Sequence, residues 1–484
     1  MMTGMFLKCQ RLIKTSFLLL GLTYIRNFGG VYLIIIIFNL CSCGAEANDP
    51  SSSISEITVP EESIEIPVET PVTDDTVEST PEFPSTMPEY SAVPIKVMEN
   101  VISVVSDGGF TMIIKSDGSL WSWGYNKYGQ LGNGTTIDSS VPMKIMEDVK
   151  TIYSKNYSSF AIKNDGSLWL WGDDYYSSNI GEEGMRSILF PEKVMDDVKK
   201  VCVGQYHVLV VKTDDSLWAW GNNYFGQIGN GSFSDGHLII EPIKVMENVA
   251  DIRAYGKCSA ALKNDGTLWA WGYHFEFQLG DTINTGCNRP KKLMDNVESF
   301  DLNASHLASV TKEGNLWVWG WLYKVQYAED IKLFGPYKCA PLMVAEEVKN
   351  VSLNWDLILF FKDDNSLWIL GEIEDHLSGI NEEKYSGFIY EPVKIMEEVR
   401  VIDMSFFKRN NHYGVIKTVN SLWTWGTNTY GQLGNGTTED NYVPQNVANN
   451  VTFIKVTSYN IYVLKVDGSL WAWGSNRLKQ LGVG

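Results

Sequence analysis

The 484-residue sequence lacks most of the parts from which enzyme sites are built. No His-Glu-x-x-His, Gly-x-Ser-x-Gly, P-loop or dinucleotide fingerprint occurs in it, so the spacings that carry zinc, acyl-transfer or phosphate chemistry are missing. Histidine is scarce: His207, His237, His274, His306, His376 and His412 are all there are. His207 and His306 occupy one slot of an internal repeat that other copies fill with Phe110, Ser158 or Cys258, so that slot reads as structural. Seven cysteines (Cys9, Cys41, Cys43, Cys202, Cys258, Cys287 and Cys339) form no Cys-x-x-Cys pair and no zinc-finger spacing. Basic residues are few, 39 against 58 acids, for a net charge of −19. A chain so acidic repels phosphate backbones, which argues against nucleic acid as a partner. These absences give no catalytic residue, no metal ligand and no cofactor, and the chain is not expected to be an enzyme.

Charge divides the chain into three parts. Residues 1–43 carry +4 and residues 44–95 carry −12, which leaves −11 for residues 96–484. In the first part, basic residues precede the apolar run Val31–Phe38 and then Leu40-Cys41-Ser42-Cys43-Gly44. A short apolar run after positive charge reads as a signal peptide. Leu-x-Ser-Cys at its end resembles a bacterial lipoprotein box, which implies lipidation of Cys43. An uncleaved membrane anchor is the alternative. Either way the body is expected to be exported and held at the surface of a bacterial membrane. Residues 44–93 are rich in Ser, Thr, Pro and Glu. Such composition cannot bury enough surface to offset chain entropy, so a disordered acidic tether is expected.

The remaining 94–484 repeat. Leu-Trp-x-Trp-Gly recurs at Leu120, Leu168, Leu217, Leu268, Leu316, Leu422 and Leu470, with a worn copy from Leu367 to Gly371. The first tryptophans lie 48, 49, 51, 48, 51, 55 and 48 residues apart. A period near 50 residues means one supersecondary unit stacked on copies of itself.

Each unit opens with an acid or amide pair before Val, as in Met98-Glu99-Asn100-Val101. An apolar stretch follows, then Asp117-Gly118-Ser119 and its equivalents, which read as two-residue hairpin turns. Period-two alternation puts Trp121 and Trp123 on one sheet face and Leu120 and Ser122 on the other. The middle position of Trp-x-Trp is small or apolar in most copies, so both faces are covered, as in a propeller blade. Glycines at fixed offsets, as in Gly129-Gln130-Leu131-Gly132, imply a backbone that crosses close to its neighbour. A short strand beginning at proline, such as Pro142–Ile145, closes the unit at its outer edge. Fifteen of the seventeen tryptophans belong to the repeat and are core; Trp321 and Trp355 stand outside it.

The run from Asp117 to Gly132 resembles the regulator of chromosome condensation repeat. That resemblance covers residues 94–484 and implies an all-β fold, a single closed propeller, most often with seven four-stranded blades. The sequence itself holds eight units. Pro94–Val97 is a closing strand with no unit before it, and the last unit stops at Gly484 without one. Eight blades closed by the two ends of the chain are therefore expected, with seven as the alternative.

Four units depart from the pattern where Gly-Gln-Leu-Gly should stand. Unit two carries Tyr175 and Tyr176, unit four Phe275 and Phe277, unit five Trp321, Tyr323, Tyr327 and Tyr337, and unit six Tyr385. Aromatic and charged residues together mark binding hot spots, and these segments should share one side of the disc. The expected function is a tethered, monomeric, non-catalytic module that binds an extracellular protein or cell-wall glycan. A propeller enzyme acting on cell-envelope polysaccharide is the alternative. The resemblance adds a remote third reading, nucleotide exchange.

Overall fold

The computed structural model describes residues 89–484 apart from 108, 174–186, 236–237, 274–285, 304, 321–340, 355–356, 374–386 and 406–410. Every element in the described residues is a β-strand. They form eight antiparallel sheets of four strands each. The first blade is built of Val101–Asp107, Phe110–Lys115, Leu120–Gly124 and Ser139–Met146. Six further blades repeat this order along the chain. The eighth takes three strands from the C-terminus, Val451–Val456, Asn460–Lys465 and Leu470–Ser475, and its fourth, Tyr90–Met98, from the start of the body. Ile95 pairs with Ala472 and Lys96 with Trp471. The strand lacking at one end is supplied by the other, and eight is the blade number.

The core is a ring of apolar clusters between blades. Phe110, Leu170 and Trp171 belong to one cluster that runs from the first blade into the third. Val101, Trp123, Tyr462 and Leu481 join the eighth blade to the first. Other clusters fill every junction in between. In the first blade Leu120, Ser122 and Trp123 are fully buried. Both faces of the sheet are thus covered, and no blade hides its apolar residues alone.

Each turn is dictated locally. The residue before the opening Val lies at positive φ in every unit: Asn100, Asp148, Asp197, Asn248, Asn296, Glu347, Glu398 and Asn450 fall between 59° and 63°. Asn and Asp tolerate that region better than other side chains. The Asp-Gly-Ser turn differs from the two-residue expectation. Gly118 N–H donates to Lys115 O, and Lys115 N–H donates to Ser119 O, which leaves three residues in the loop. Gly118, at φ 81°, has positive φ and Asp117 does not. A two-residue type I′ turn needs two such residues; a type I turn with one left-handed residue after it needs one. Asp117 Oδ1 accepts from Ser119 N and Oγ at 2.8 and 2.6 Å, and Ser119 Oγ accepts from Trp121 Nε1 at 2.9 Å. The outer proline also differs in place. Pro142 lies inside Ser139–Met146, where pairing slips between Gly124–Ser139 and Ser122–Met143. A bulge on an edge strand needs no N–H there.

The Gly-Gln-Leu-Gly loops clasp one blade to the next. Gln130 O accepts Trp171 Nε1 at 3.0 Å and Ser159 Oγ at 2.8 Å. The same carbonyl-to-indole bond joins Gln227 to Trp271, Gln432 to Trp473 and Gln480 to Trp123, all at 2.8–2.9 Å. Leu131, Ile228, Leu433 and Leu481 are buried beneath these loops. Asn126 holds the loop in shape. Its Oδ1 accepts Leu131 N at 2.9 Å, and its Nδ2 donates to Thr135 O and Ile137 O. A Cβ on Gly132 would lie 2.7 Å from Trp171 Nε1, which is the close crossing that the glycine spacing implies.

Candidate interaction face

Strand direction sorts the loops onto two faces. The turns between first and second strands and the loops between third and fourth strands leave the blades on one side, here called the loop face. The Asp-Gly-Ser hairpins and the turns into each next blade leave on the other, the hairpin face.

On the loop face the turns of blades one to four are tied in series. Asp107 Oδ2 accepts Asn156 N at 3.1 Å, Asn156 Nδ2 donates to Gln205 O at 2.9 Å, and Gln205 N donates to Gly256 O at 2.9 Å. Aromatic groups flank this chain at both ends. Tyr128 stacks on Tyr157 with centroids 5.0 Å apart, and Tyr125 meets Tyr157 edge-on at 5.8 Å. Phe225 lies 4.6 Å from Tyr273 and 4.9 Å from Tyr224. Cations cover the rings. Lys257 Nζ sits 4.1 Å from the Phe225 centroid, Lys155 Nζ 5.8 Å from that of Tyr255, and Lys127 Nζ 5.9 Å from that of Tyr128. Lys155 belongs to blade two and Tyr255 to blade four, so this contact spans the intervening blade. Across the disc, Tyr430 meets Tyr459 edge-on at 5.3 Å and carries Arg477 over its ring at 5.0 Å. Burial raises the Tyr157 phenol above its ordinary pKa, with Tyr125 and Tyr128 adding to the effect. The patch therefore presents neutral phenols and fixed positive charge.

The inner strands carry a second polar array. Lys200 pairs with Asp251, Asp251 with Arg253 at 2.9 Å, and Arg253 with Asp301 at 3.5 Å. These four residues belong to the first strands of blades three, four and five. Burial works to raise the Asp251 carboxyl, but Arg253 and Lys200 hold it below its usual range. Asp301 is buried deeply enough to be raised despite Arg253 and the Leu353 N–H. Asp301 Oδ2 accepts Leu353 N at 2.8 Å, Asp403 Oδ2 accepts Val456 N at 2.7 Å, and Cys202 Sγ accepts Ala254 N at 3.1 Å. Each caps the exposed edge of the next blade, so these groups are committed to the scaffold. No group of three or more His, Cys, Asp or Glu among the described residues is arranged to hold a metal. Cys202, Cys258 and Cys287 are free thiols. Burial pushes the Cys258 thiol up to about 12.

Every aromatic site residue expected from the sequence (Tyr175, Tyr176, Phe275, Phe277, Trp321, Tyr323, Tyr327, Tyr337 and Tyr385) lies outside the described residues, as does Cys43. The strands that flank those segments end on the loop face. Tyr128, Tyr157, Phe225 and Lys257 were not singled out by sequence. Tyr128 and Phe225 belong to regular units and Tyr157 and Lys257 to the regular parts of units two and four, and only the variable positions inside Asn-x-x-Gly-Gln and the turn before the second strand hint at them. Among the described residues no helix is long and apolar enough to cross a membrane.

Comparison with known proteins agrees with this architecture. The regulator of chromosome condensation (RCC1) repeat matches residues 117–157 and 420–458, and a second form of it matches 101–130 and 198–227. No curated protein matches the chain. The crystal structure of human WBSCR16 is similar at 17% identity and TM-score 0.53, over 74% of this chain and 98% of that one. Prp20p from Saccharomyces cerevisiae, studied for its binding to Gsp1p and histones, is similar at 18% identity and TM-score 0.48, over 78% of this chain and 82% of that one. At 17% identity the likeness to WBSCR16 concerns fold alone.

Proposed function

We propose that this chain, an eight-bladed propeller built of regulator of chromosome condensation repeats, is a non-catalytic module that grips a protein with its loop face. The observation that carries this reading is the tied patch across blades one to four. Tyrosine, phenylalanine and lysine side chains there are held in place by the clasps beneath them, at little further entropic cost on binding. The inner carboxylates support binding over polysaccharide hydrolysis. A glycosidase needs two carboxylates free to face a sugar, whereas Asp251, Asp301 and Asp403 are held by cations and backbone N–H groups. In this proposal the leader exports the body, lipid on Cys43 anchors it, and the acidic segment spaces it from the membrane.

The test is site-specific photo-crosslinking in the native cell envelope. Tyr224, 57% exposed on the loop face, is one attachment point; Val466, 62% exposed on the hairpin face, is the other. A discrete protein adduct from position 224 alone is expected. Equal adducts from both positions, or none from 224, refute the reading.

A further inference from the structure

The hairpin face changes character in one sector, and all the turns that form this face lie in the described residues. Around most of the disc these turns are charged. In six blades the outer strand carries a lysine paired with a carboxylate three residues on, as Lys144 with Glu147 at 2.7 Å and Lys394 with Glu397 at 2.6 Å. At the turn from blade seven into blade eight this pair becomes Asn446 and Asn449, whose amides are 3.4 Å apart. The hairpin position held by Asp117 in blade one, and by a carboxylate in six further blades, is Val419 in blade seven. The position before it, polar in every other blade, is Val466 in blade eight. The second residue of the first strand, charged in five blades, is Ile102 in blade one, and the third is Phe453 in blade eight. Val419, Val466, Ile102 and Phe453 are 72, 62, 59 and 39% exposed. Backbone bonds bring them together. Val451 N donates to Asn420 O at 2.9 Å, Val466 N to Asn450 O at 2.8 Å, and Val101 N to Gly468 O at 2.9 Å. A continuous line thus runs from the tip of blade seven through that of blade eight to the start of blade one. Arg400 borders it, with Nη2 3.2 Å from Val451 O and from Thr452 O. Asp467 remains within it, and its Oδ1 accepts Ser469 N at 2.9 Å.

We infer that this sector of the hairpin face docks on a lipid surface, with Val419, Val466, Ile102 and Phe453 entering the zone between headgroups and acyl chains. The inference goes beyond the loop-face reading and does not rest on it. Hydrocarbon rejects charge, and charge is what these positions have lost relative to their counterparts. Two half-buried tryptophans flank the tips. Lys417 lies over Trp423 at 5.3 Å and Lys465 over Trp471 at 4.0 Å, so the lysine stems rest on the rings while the ammonium groups reach headgroups. A second copy of the chain fits the sector less well, because it brings the same net charge of −19 against itself. Docked on lipid in this way, the disc turns its loop face outward.

The test places the full chain on phosphatidylcholine vesicles that contain a phosphatidylcholine with a photo-reactive acyl chain. Labelled peptides are then mapped by mass spectrometry. Labelling around Val419 and Val466 is expected, and none around Ile137, which is 73% exposed on the loop face. The double variant Val419→Asp/Val466→Asn installs residues that other blades already carry at these positions, so the turns keep their shape. It should lower labelling around Phe453 about tenfold, because two apolar side chains no longer leave water. Ile137→Glu adds the same single charge and copies Glu439 of blade seven. It should change that labelling less than about twofold. Labelling that is absent from both tips, equal at Ile137, or unchanged in the double variant overturns the inference. So does a dimer in sedimentation that the double variant dissociates while the tips stay unlabelled, which assigns the sector to a second copy.

Discussion

The indole N–H of Trp123 donates to the carbonyl of Gln480, 2.8 Å away, and so ties the first blade to the last. Its counterpart in blade seven, Trp425, is equally buried, yet its Nε1 has no partner among the described residues. The two positions form a natural experiment. Trp123→Phe removes ring volume and a satisfied donor; Trp425→Phe removes similar volume and an unsatisfied one. A buried donor without a partner costs about 1–3 kcal/mol. Trp123→Phe should therefore destabilise by at least about 1 kcal/mol more than Trp425→Phe, read as the difference in urea midpoint at unchanged m-value. Equal losses would mean that the clasp bond contributes nothing.

Glycine at the end of the clasp serves two purposes that can be separated. A Cβ on Gly482 would meet Trp123 Nε1 at 2.4 Å, and the backbone φ is 71°. Gly436 also has positive φ, 85°, but open space around it. Gly436→Ala should cost about 1 kcal/mol from backbone strain alone. Gly482→Ala should cost clearly more, because the Cβ must displace a fully buried indole held by a hydrogen bond. Thermal unfolding of the two variants gives the comparison.

The blade count was legible because a spacing of 48–55 residues and the unmatched Pro94–Val97 strand are properties of order along the chain. The clasp was half legible: Gly129 and Gly132 announce a close crossing, but not that Trp171 of the next unit lies across it. Unit five lacks the clasp sequence, and unit six has Leu370 in place of the second tryptophan, so donor and acceptor are lost together. The interaction face was not legible. Lys155 and Tyr255 are 100 residues apart and meet because the ring brings two turns together across a third. Spacing within one unit carries no information about that distance.

Two units carry glutamate where the turn into the blade requires a left-handed residue. Glu347 has φ 59° and Glu398 has φ 61°, while the other six units place Asn or Asp there. The side chains are exposed and make only long contacts, to Lys362 at 3.6 Å and Lys417 at 4.0 Å. Such surface pairs contribute little. Relief of backbone strain should dominate, and Glu398→Asn or Glu347→Asn should each stabilise by roughly 0.5–1 kcal/mol. A lowered midpoint in chemical denaturation would show that the ion pair outweighs the strain.

His207 makes stability depend on pH. It is fully buried in blade three, and its Nε2 lies 2.8 Å from Ser259 Oγ. Ser259 Oγ donates in turn to Gln227 O at 2.8 Å, so Nε2 carries a proton and donates to Ser259. Burial lowers its pKa from 6.5 to about 3. Between those values the unfolded chain binds a proton that the folded chain does not. The stability contributed by the neutral ring is complete above pH 6.5 and is lost as pH falls toward 3, with a slope of up to about 1.4 kcal/mol per pH unit. Carboxylates add their own dependence below about pH 5, so the interval from about 6.5 to 5 is where histidines dominate, and the difference between the protein and its His207 variant reads this one. His207→Phe, which places there the side chain that blade one carries as Phe110, should flatten the curve in that interval. Parallel slopes for the two proteins would mean that His207 takes up its proton in the folded chain as readily as in the unfolded one.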